Sequence, residues 1–196
     1  MSINEILVWL SSGMALALYI PLITGILRGE IAQSVATWAL WVTLDAIALV
    51  NIMHKHGNFL LVLLYCMCGT LVTVSLIYKK HFKWSHFESF VLILVCICLV
   101  VWGFSGAKWA IISSTVAMCI SGSPQIRDSW REPDRATGFI YIGCTVANSL
   151  SFLGGRSWTI EERFYPGMCV LLCLSVAIAA LRKNNLAPVR IIKNMP

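Results

Sequence analysis

The stretch CISGSPQIRDSW, residues 119–130, holds the feature that decides how the rest of the chain is interpreted. An apolar run ends there on the pair Pro124-Gln125, and charged residues follow at once. Proline supplies no backbone N–H and disrupts a helix around the preceding turn. The pair therefore marks the place where an apolar helical segment stops and a polar segment begins.

The composition of the whole chain indicates a membrane protein. Of its 196 residues 58% are hydrophobic and only 12% are charged, whereas soluble domains carry about 25% charged residues. Because about 20 apolar residues in a helix cross a bilayer, we expect an all-α membrane protein with seven transmembrane helices. The expected spans are 6–27, 34–53, 59–78, 88–104, 108–126, 137–153 and 163–181.

The basic residues of the chain predict its orientation. Seven spans place eleven Lys and Arg on the side of the C-terminus and four on the other side, those four being Lys55, Lys108, Arg156 and Arg163. The positive-inside rule then predicts a multi-pass protein with a cytoplasmic C-terminus and an outer or lumenal N-terminus. The net charge of +6 is explained by this topology, so a nucleic-acid partner is not expected.

The chain contains an internal repeat at a displacement of 103 residues. LSSGMALALYIPLITGILRGEI, residues 10–31, lies on SSTVAMCISGSPQIRDSWREPD, residues 113–134, so that Pro21 falls on Pro124. Further along, Asp45 falls on Asn148. Both copies would begin outside, which requires one linker span between them and predicts a 3+1+3 parallel repeat. The expected units are a first three-helix bundle (1–80), a linker helix (81–107), a second three-helix bundle (108–183) and a cytoplasmic tail (184–196).

This pattern resembles the PQ-loop/SWEET transporter superfamily, which includes sugar transporters and exporters of cystine and cationic amino acids. The resemblance covers nearly the whole chain, and its second motif is intact as Pro124-Gln125, whereas the first is Pro21-Leu22 and lacks the glutamine. It implies that Pro21, Pro124 and Gln125 form hinges or gates on the cytoplasmic side. In addition, the Gln125 amide could donate to a carbonyl freed by the proline.

Asp45 is the acidic residue that we place nearest the middle of a predicted span. A carboxylate at that depth costs several kcal/mol, so it should face a cavity or a partner rather than lipid. Burial also penalises its charged form, which suits a group that takes up protons. Trp41 and Trp38 precede it by four and seven residues and share its helix face, where they could hold a sugar ring or a cation.

The second copy of the repeat carries a matching face. Asn148 is preceded at the same spacings by Cys144 and Tyr141. The two faces would oppose each other across the pseudo-twofold axis and form a central substrate pocket. Asp45 would supply an acid to one wall and Asn148 an amide to the other.

Enzyme classes find no support in the sequence. The four histidines lie in predicted loops, and no catalytic triad, phosphate loop or zinc spacing is present. The last span has no lysine for retinal. We therefore expect no catalytic residues, no metal and no cofactor.

The resemblance implies a small-solute transporter of the sugar or amino-acid class that works by alternating access, with proton coupling through Asp45 as an option. Its partners would be a small-molecule substrate and the lipid bilayer, and the sequence allows a homo-oligomer. Two alternatives stay open. One is a nicotinamide-riboside-type vitamin transporter, because Trp38 and Trp41 resemble the paired tryptophans of that family. The other is a non-transporting ligand or sorting receptor of the same fold, like the KDEL receptors.

Overall fold

The structure, a computed structural model, describes residues 2–28, 35–79, 86–131 and 133–182. These residues form eight helices and contain no strand, which confirms the all-α fold class. The helices are α1 Ile3–Arg28, α2 Val35–His54, α3 Leu60–Tyr78, α4 His86–Ser105, α5 Ala107–Ser121, α6 Ser123–Arg131, α7 Arg135–Leu153 and α8 Ile160–Leu181. The predicted tail at 184–196 lies outside the described residues.

Five of the helices, α1 to α4 and α8, are long and apolar enough to cross a membrane. These helices agree with the expectation of a helical membrane protein. Helix α5 has 15 residues, and the apolar part of α7 runs only over Thr137–Leu153, so both are shorter than the usual span of about 20 residues.

Polar and apolar side chains are distributed as they are in a protein surrounded by lipid. Helix α4 exposes Ile93, Ile97 and Val100, which lie three or four residues apart on one face. In contrast, Ser11 and Ser12 of α1 are fully buried. Because an exposed face of large aliphatic side chains is unfavourable in water, this face of α4 is suited to contact acyl chains.

The predicted fifth span, 108–126, is wrong at its end. Helix α5 stops at Ser121, the Gly122 amide bonds back to the carbonyls of Met118 and Cys119, and α6 starts at Ser123. Pro124 is thus in the first turn of a new helix, where its missing N–H is not needed. The Gln125 amide donates to Ser129 Oγ at 3.3 Å, so the expectation that it pairs with a freed carbonyl is also wrong.

Pro21 occupies a different local setting. Helix α1 continues through it to Arg28. The hydroxyl of Thr24 donates to the carbonyls of Ile20 and Pro21, at 2.9 and 3.1 Å, within the turn that the proline begins. The repeated proline therefore lies inside a continuous helix in the first copy and at a helix start in the second.

The helices pack in an order that occurs twice along the chain. Helix α3 contacts both α1 and α2, and α8 contacts both α5 and α7. These two groups meet where α1 packs on α7 and α2 packs on α5. Helix α4 lies against α5 and α2.

One end of the bundle is closed by contacts of the α2–α3 connection with the end of α7, the α7–α8 connection and the start of α8, which we call the loop junction. The buried Asn58 amide donates to the carbonyl and the hydroxyl of Ser151, both at 3.1 Å. Arg156 Nη2 donates to the His56 carbonyl at 2.6 Å and pairs with Glu162 Oε1 at 2.8 Å. The junction ties α2 and α3 to α7 and α8.

Gly57 of the loop junction has no room for a side chain. A Cβ atom at this position would clash with the backbone carbonyl of Glu161 at the start of α8. Since backbone cannot rotate aside as a flexible side chain can, we expect Gly57→Ala to lower the free energy of unfolding by about 1–3 kcal/mol. Thermal unfolding in detergent measures this change.

Gly103→Ala is the matched control, because its Cβ would meet nothing within 4 Å. Gly103 lies within α4, where alanine is favoured over glycine by about 1 kcal/mol. Its unfolding temperature should be unchanged or raised. Equal unfolding temperatures for Gly57→Ala and the unsubstituted protein would contradict the close packing of the junction.

Candidate functional site

The predicted acid, Asp45, is buried near the middle of α2 and forms a hydrogen bond to another helix. The hydroxyl of Tyr165, the sixth residue of α8, donates to Asp45 Oδ1 at 2.8 Å. Tyr165 is almost completely buried. A buried carboxylate needs such a partner, because an unpaired one would bear the full cost of desolvation.

Asn148, which the internal repeat aligns with Asp45, also forms a hydrogen bond to a tyrosine of another helix. Asn148, buried on α7, donates through Nδ2 to the hydroxyl of Tyr65 at 2.7 Å and to its own helix at the Cys144 carbonyl at 2.8 Å. Tyr65 is the sixth residue of α3, as Tyr165 is of α8. We call Asp45, Tyr65, Asn148 and Tyr165 the central polar cluster.

The two tyrosines lie side by side between the acid and the amide. Their ring centroids are 6.4 Å apart and the rings are tilted by 47°. The predicted walls, with Asp45 on one side and Asn148 on the other, are thus bridged by phenol groups from α3 and α8. Tyr65 and Tyr165 are 100 residues apart in the sequence, whereas the internal repeat aligns residues that are 103 apart. The repeat alignment therefore does not pair these tyrosines, and the sequence does not predict their role.

The predicted tryptophans lie next to this cluster in an aromatic row. Trp38 and Trp41 pack edge to face with centroids 5.3 Å apart, and Trp38 contacts Tyr19 of α1 at 6.3 Å. Tyr19 in turn contacts Tyr65 at 6.0 Å. Tyr19, which sequence analysis did not single out, therefore connects the tryptophans to the central polar cluster.

The remaining predicted residues of the second copy reach the same region. The Cys144 carbonyl accepts a hydrogen bond from Asn148 Nδ2 at 2.8 Å, which places Cys144 one turn from the central polar cluster on α7. Tyr141 and Cys144 are half-buried on α7. The structure thus links five of the six predicted site residues to Tyr19, Tyr65 and Tyr165 through hydrogen bonds or ring contacts. Tyr141 lies one turn before Cys144 on the same helix.

Several buried polar atoms here have no hydrogen-bond partner among the residues that the structure describes. They are the indole nitrogens of Trp38 and Trp41 and the Oδ1 atom of Asn148. The hydroxyls of Ser12 and Thr115, which the repeat aligns, are also unpaired. Because unpaired buried polar groups are costly, the two indole N–H donors and the Asn148 Oδ1 acceptor are suited to bind a polar ligand.

No family model matches this chain, and no match was found among curated proteins or solved structures. The resemblance to the PQ-loop/SWEET superfamily therefore stays a prediction from the sequence.

The Asp45–Tyr165 bond can be tested by coupled substitutions. Tyr165→Phe leaves the carboxylate without its donor, and we expect a loss of about 1–3 kcal/mol of unfolding free energy. In an Asp45→Leu background the same change should cost less, with a coupling energy of about 0.5–3 kcal/mol. Thermal unfolding in detergent of the single and double variants measures this coupling.

Tyr141→Phe provides the control, since the hydrogen bond at Tyr141 in the described part of the chain goes from the Thr145 hydroxyl to its backbone carbonyl, which the substitution keeps. Its effect should be small and independent of Asp45. Additive effects of Tyr165→Phe and Asp45→Leu would mean that the bond contributes nothing to the folded state.

Proposed function

We propose that this chain is a small-solute membrane transporter of the sugar or amino-acid class that works by alternating access. The moving parts would be two three-helix bundles, α1–α3 and α5 with α7 and α8, with α4 as the linker. The observation that carries the proposal is the reciprocal pair of hydrogen bonds in the central polar cluster.

Each of these bonds joins one proposed bundle to the other. Asp45 on α2 of the first bundle bonds to Tyr165 on α8 of the second. Asn148 on α7 of the second bundle bonds to Tyr65 on α3 of the first. Any separation of the bundles around this point must break both bonds, and a ligand with several hydroxyl or amine groups can replace them.

The packing order supports the same division of the chain. Adding 103 to the residue numbers of α1, α2 and α3 gives 106–131, 138–157 and 163–181, which overlap α5 with α6, then α7, then α8. The same displacement relates α1 to α5 and α2 to α7. The contact of α1 with α7 therefore corresponds to the contact of α5 with α2. A twofold-related pair of bundles predicts this behaviour.

The loop junction gives the proposed cycle a gate at one end. Asn58 and His56 belong to the α2–α3 connection of the first bundle, whereas Ser151 near the end of α7 and Arg156 in the α7–α8 connection belong to the second bundle. In the predicted orientation this end faces outward or into a lumen. Release of the junction would open that side, and the differential affinity of the substrate for the two states would drive the change.

A ligand-binding screen is the first test of this function. Purified protein is heated with sugars, amino acids, polyamines and nucleosides at mildly acidic and at neutral pH. A ligand that binds only the folded state at about 100 times its Kd stabilises that state by about 2.7 kcal/mol. We expect one class to raise the unfolding temperature, and Asp45→Ala and Asn148→Ala to abolish the shift.

Asn51→Ala is the matched control for this screen. Asn51 is buried on the same helix as Asp45, but its amide donates to Ile47 of its own helix. The control should keep the ligand shift of the unsubstituted protein. A screen without any stabilising ligand, or a shift that survives both site substitutions, would remove the support for a central substrate site.

The nature of the ligand separates the proposal from its alternatives. A nucleoside that alone gives the shift would favour the nicotinamide-riboside-type transporter, in which Trp38 and Trp41 contact the base. A ligand that binds but is not moved across vesicles would indicate a receptor. Among the described residues, the buried charged side chains are the acids Asp45, Glu88 and Glu162, which does not suit capture of a carboxylate.

Proton coupling through Asp45 has its own prediction. In proteoliposomes, Asp45→Asn should abolish uptake driven by a proton gradient, because the amide cannot bind and release the proton. Exchange of labelled for unlabelled substrate across the same vesicles should continue, since the amide still offers hydrogen bonds. Proton-driven accumulation that persists in Asp45→Asn would exclude this residue as the coupling group.

A further inference from the structure

A second candidate site lies on the outer face of α7 and α8, where the connection between them begins. A crevice of about 670 Å³ is lined there by residues that include Phe152, Leu153, Trp158, Arg163, Gly167 and Leu171. Arg163, Gly167 and Leu171 are spaced four residues apart and share one face of α8. Tyr165, two residues from Arg163, is directed to the central polar cluster instead, so the crevice is separate from the proposed substrate site.

The walls of the crevice are apolar and open to the surroundings. Leu153 and Leu171 are each 59% exposed, and Trp158 is 82% exposed. Helix α8 has the length and composition of a membrane-crossing segment, so its exposed Leu171 side chain is suited to contact acyl chains. Tryptophan is enriched at the boundary between acyl chains and headgroups, and the exposure of Trp158 at the end of the crevice agrees with that depth.

Arg163 places a fixed positive charge at this boundary. Its Nε donates to the Ser157 carbonyl, and its two terminal nitrogens donate to the carbonyls of Phe152 and Gly155. Its guanidinium carbon lies 4.2 Å from the Trp158 ring centroid. These contacts hold the guanidinium in place and use three of its five N–H donors.

The charge of Arg163 is not neutralised within the described part of the chain. No carboxylate group there forms an ion pair with it, whereas the neighbouring Arg156 pairs with Glu162 at 2.8 Å. Its partners are neutral carbonyls and aromatic rings. A rigid guanidinium with two free donors is suited to bind a phosphate oxygen pair.

We propose that this crevice binds one glycerophospholipid of the surrounding leaflet, with its phosphodiester on Arg163 and an acyl chain along the α7–α8 groove. The anionic phosphate complements the unpaired guanidinium, and the acyl chain complements the exposed aliphatic wall. The site is independent of the transported solute and of Asp45. A lipid bound here would contact both helices next to the loop junction.

Native mass spectrometry of the detergent-purified protein with added phosphatidylglycerol tests this site. We expect one lipid adduct per chain. Arg163→Gln should weaken it about tenfold or more by removing the charge, and Leu171→Trp should weaken it similarly by filling the groove. Lys108→Gln, which removes an exposed charge on α5, and Leu174→Trp, which enlarges an exposed α8 side chain outside the crevice, should leave the adduct unchanged.

Two competitors separate the parts of the ligand. Diacylglycerol with the same chains lacks the phosphate, and inorganic phosphate lacks the chains, so neither should displace the lipid at an equal concentration. Displacement by either one, or lipid binding that is equal in the unsubstituted protein, Arg163→Gln and Leu171→Trp, would overturn the proposal. Should Arg163→Gln fail to fold, Leu171→Trp decides alone, because that side chain is largely outside the core.

Discussion

The burial of a carboxylate in the middle of α2 is the constraint on which the centre of this protein depends. Asp45 cannot face lipid without a large cost, and its side chain is buried between the helices, so a donor from another helix stabilises it. Tyr165 of α8 supplies that donor. Tyr165 also lies next to Tyr65, whose hydroxyl accepts a hydrogen bond from Asn148.

The same arrangement makes the centre suitable for change. Two hydrogen bonds between phenol groups and an acid or an amide hold the proposed bundles together at this level, and both can be exchanged for bonds to a polar ligand. The loop junction adds a second set of ties at one end of the bundle. A membrane protein with few polar ties between two packed halves can have two states that differ by only a few kcal/mol, which alternating access requires.

The two faces of α8 have different tasks in this interpretation. Tyr165 and the buried Cys169 lie toward the core, whereas Arg163 and Leu171 lie toward the bilayer. Pro166, inside the helix and next to Tyr165, lacks the N–H that would bond to the carbonyl of Glu162. Helix α8 thus has three roles. It donates to Asp45 through Tyr165, its start belongs to the loop junction through Glu162, and it lines the proposed lipid crevice through Arg163.

Local sequence signals determined the helical membrane class, most helix positions and the identity of Asp45 and Asn148 as central polar residues. These signals are strong because lipid requires long apolar helices and because a charged group within one is rarely accidental. The predicted span 108–126 ran past the break at Gly122, since apolar periodicity does not mark where a helix restarts. Only the tertiary structure decided that Tyr65 and Tyr165 bridge the two predicted walls and that Arg163 lies unpaired beside Trp158. Both results depend on how α3, α7 and α8 pack against one another, which no local pattern specifies.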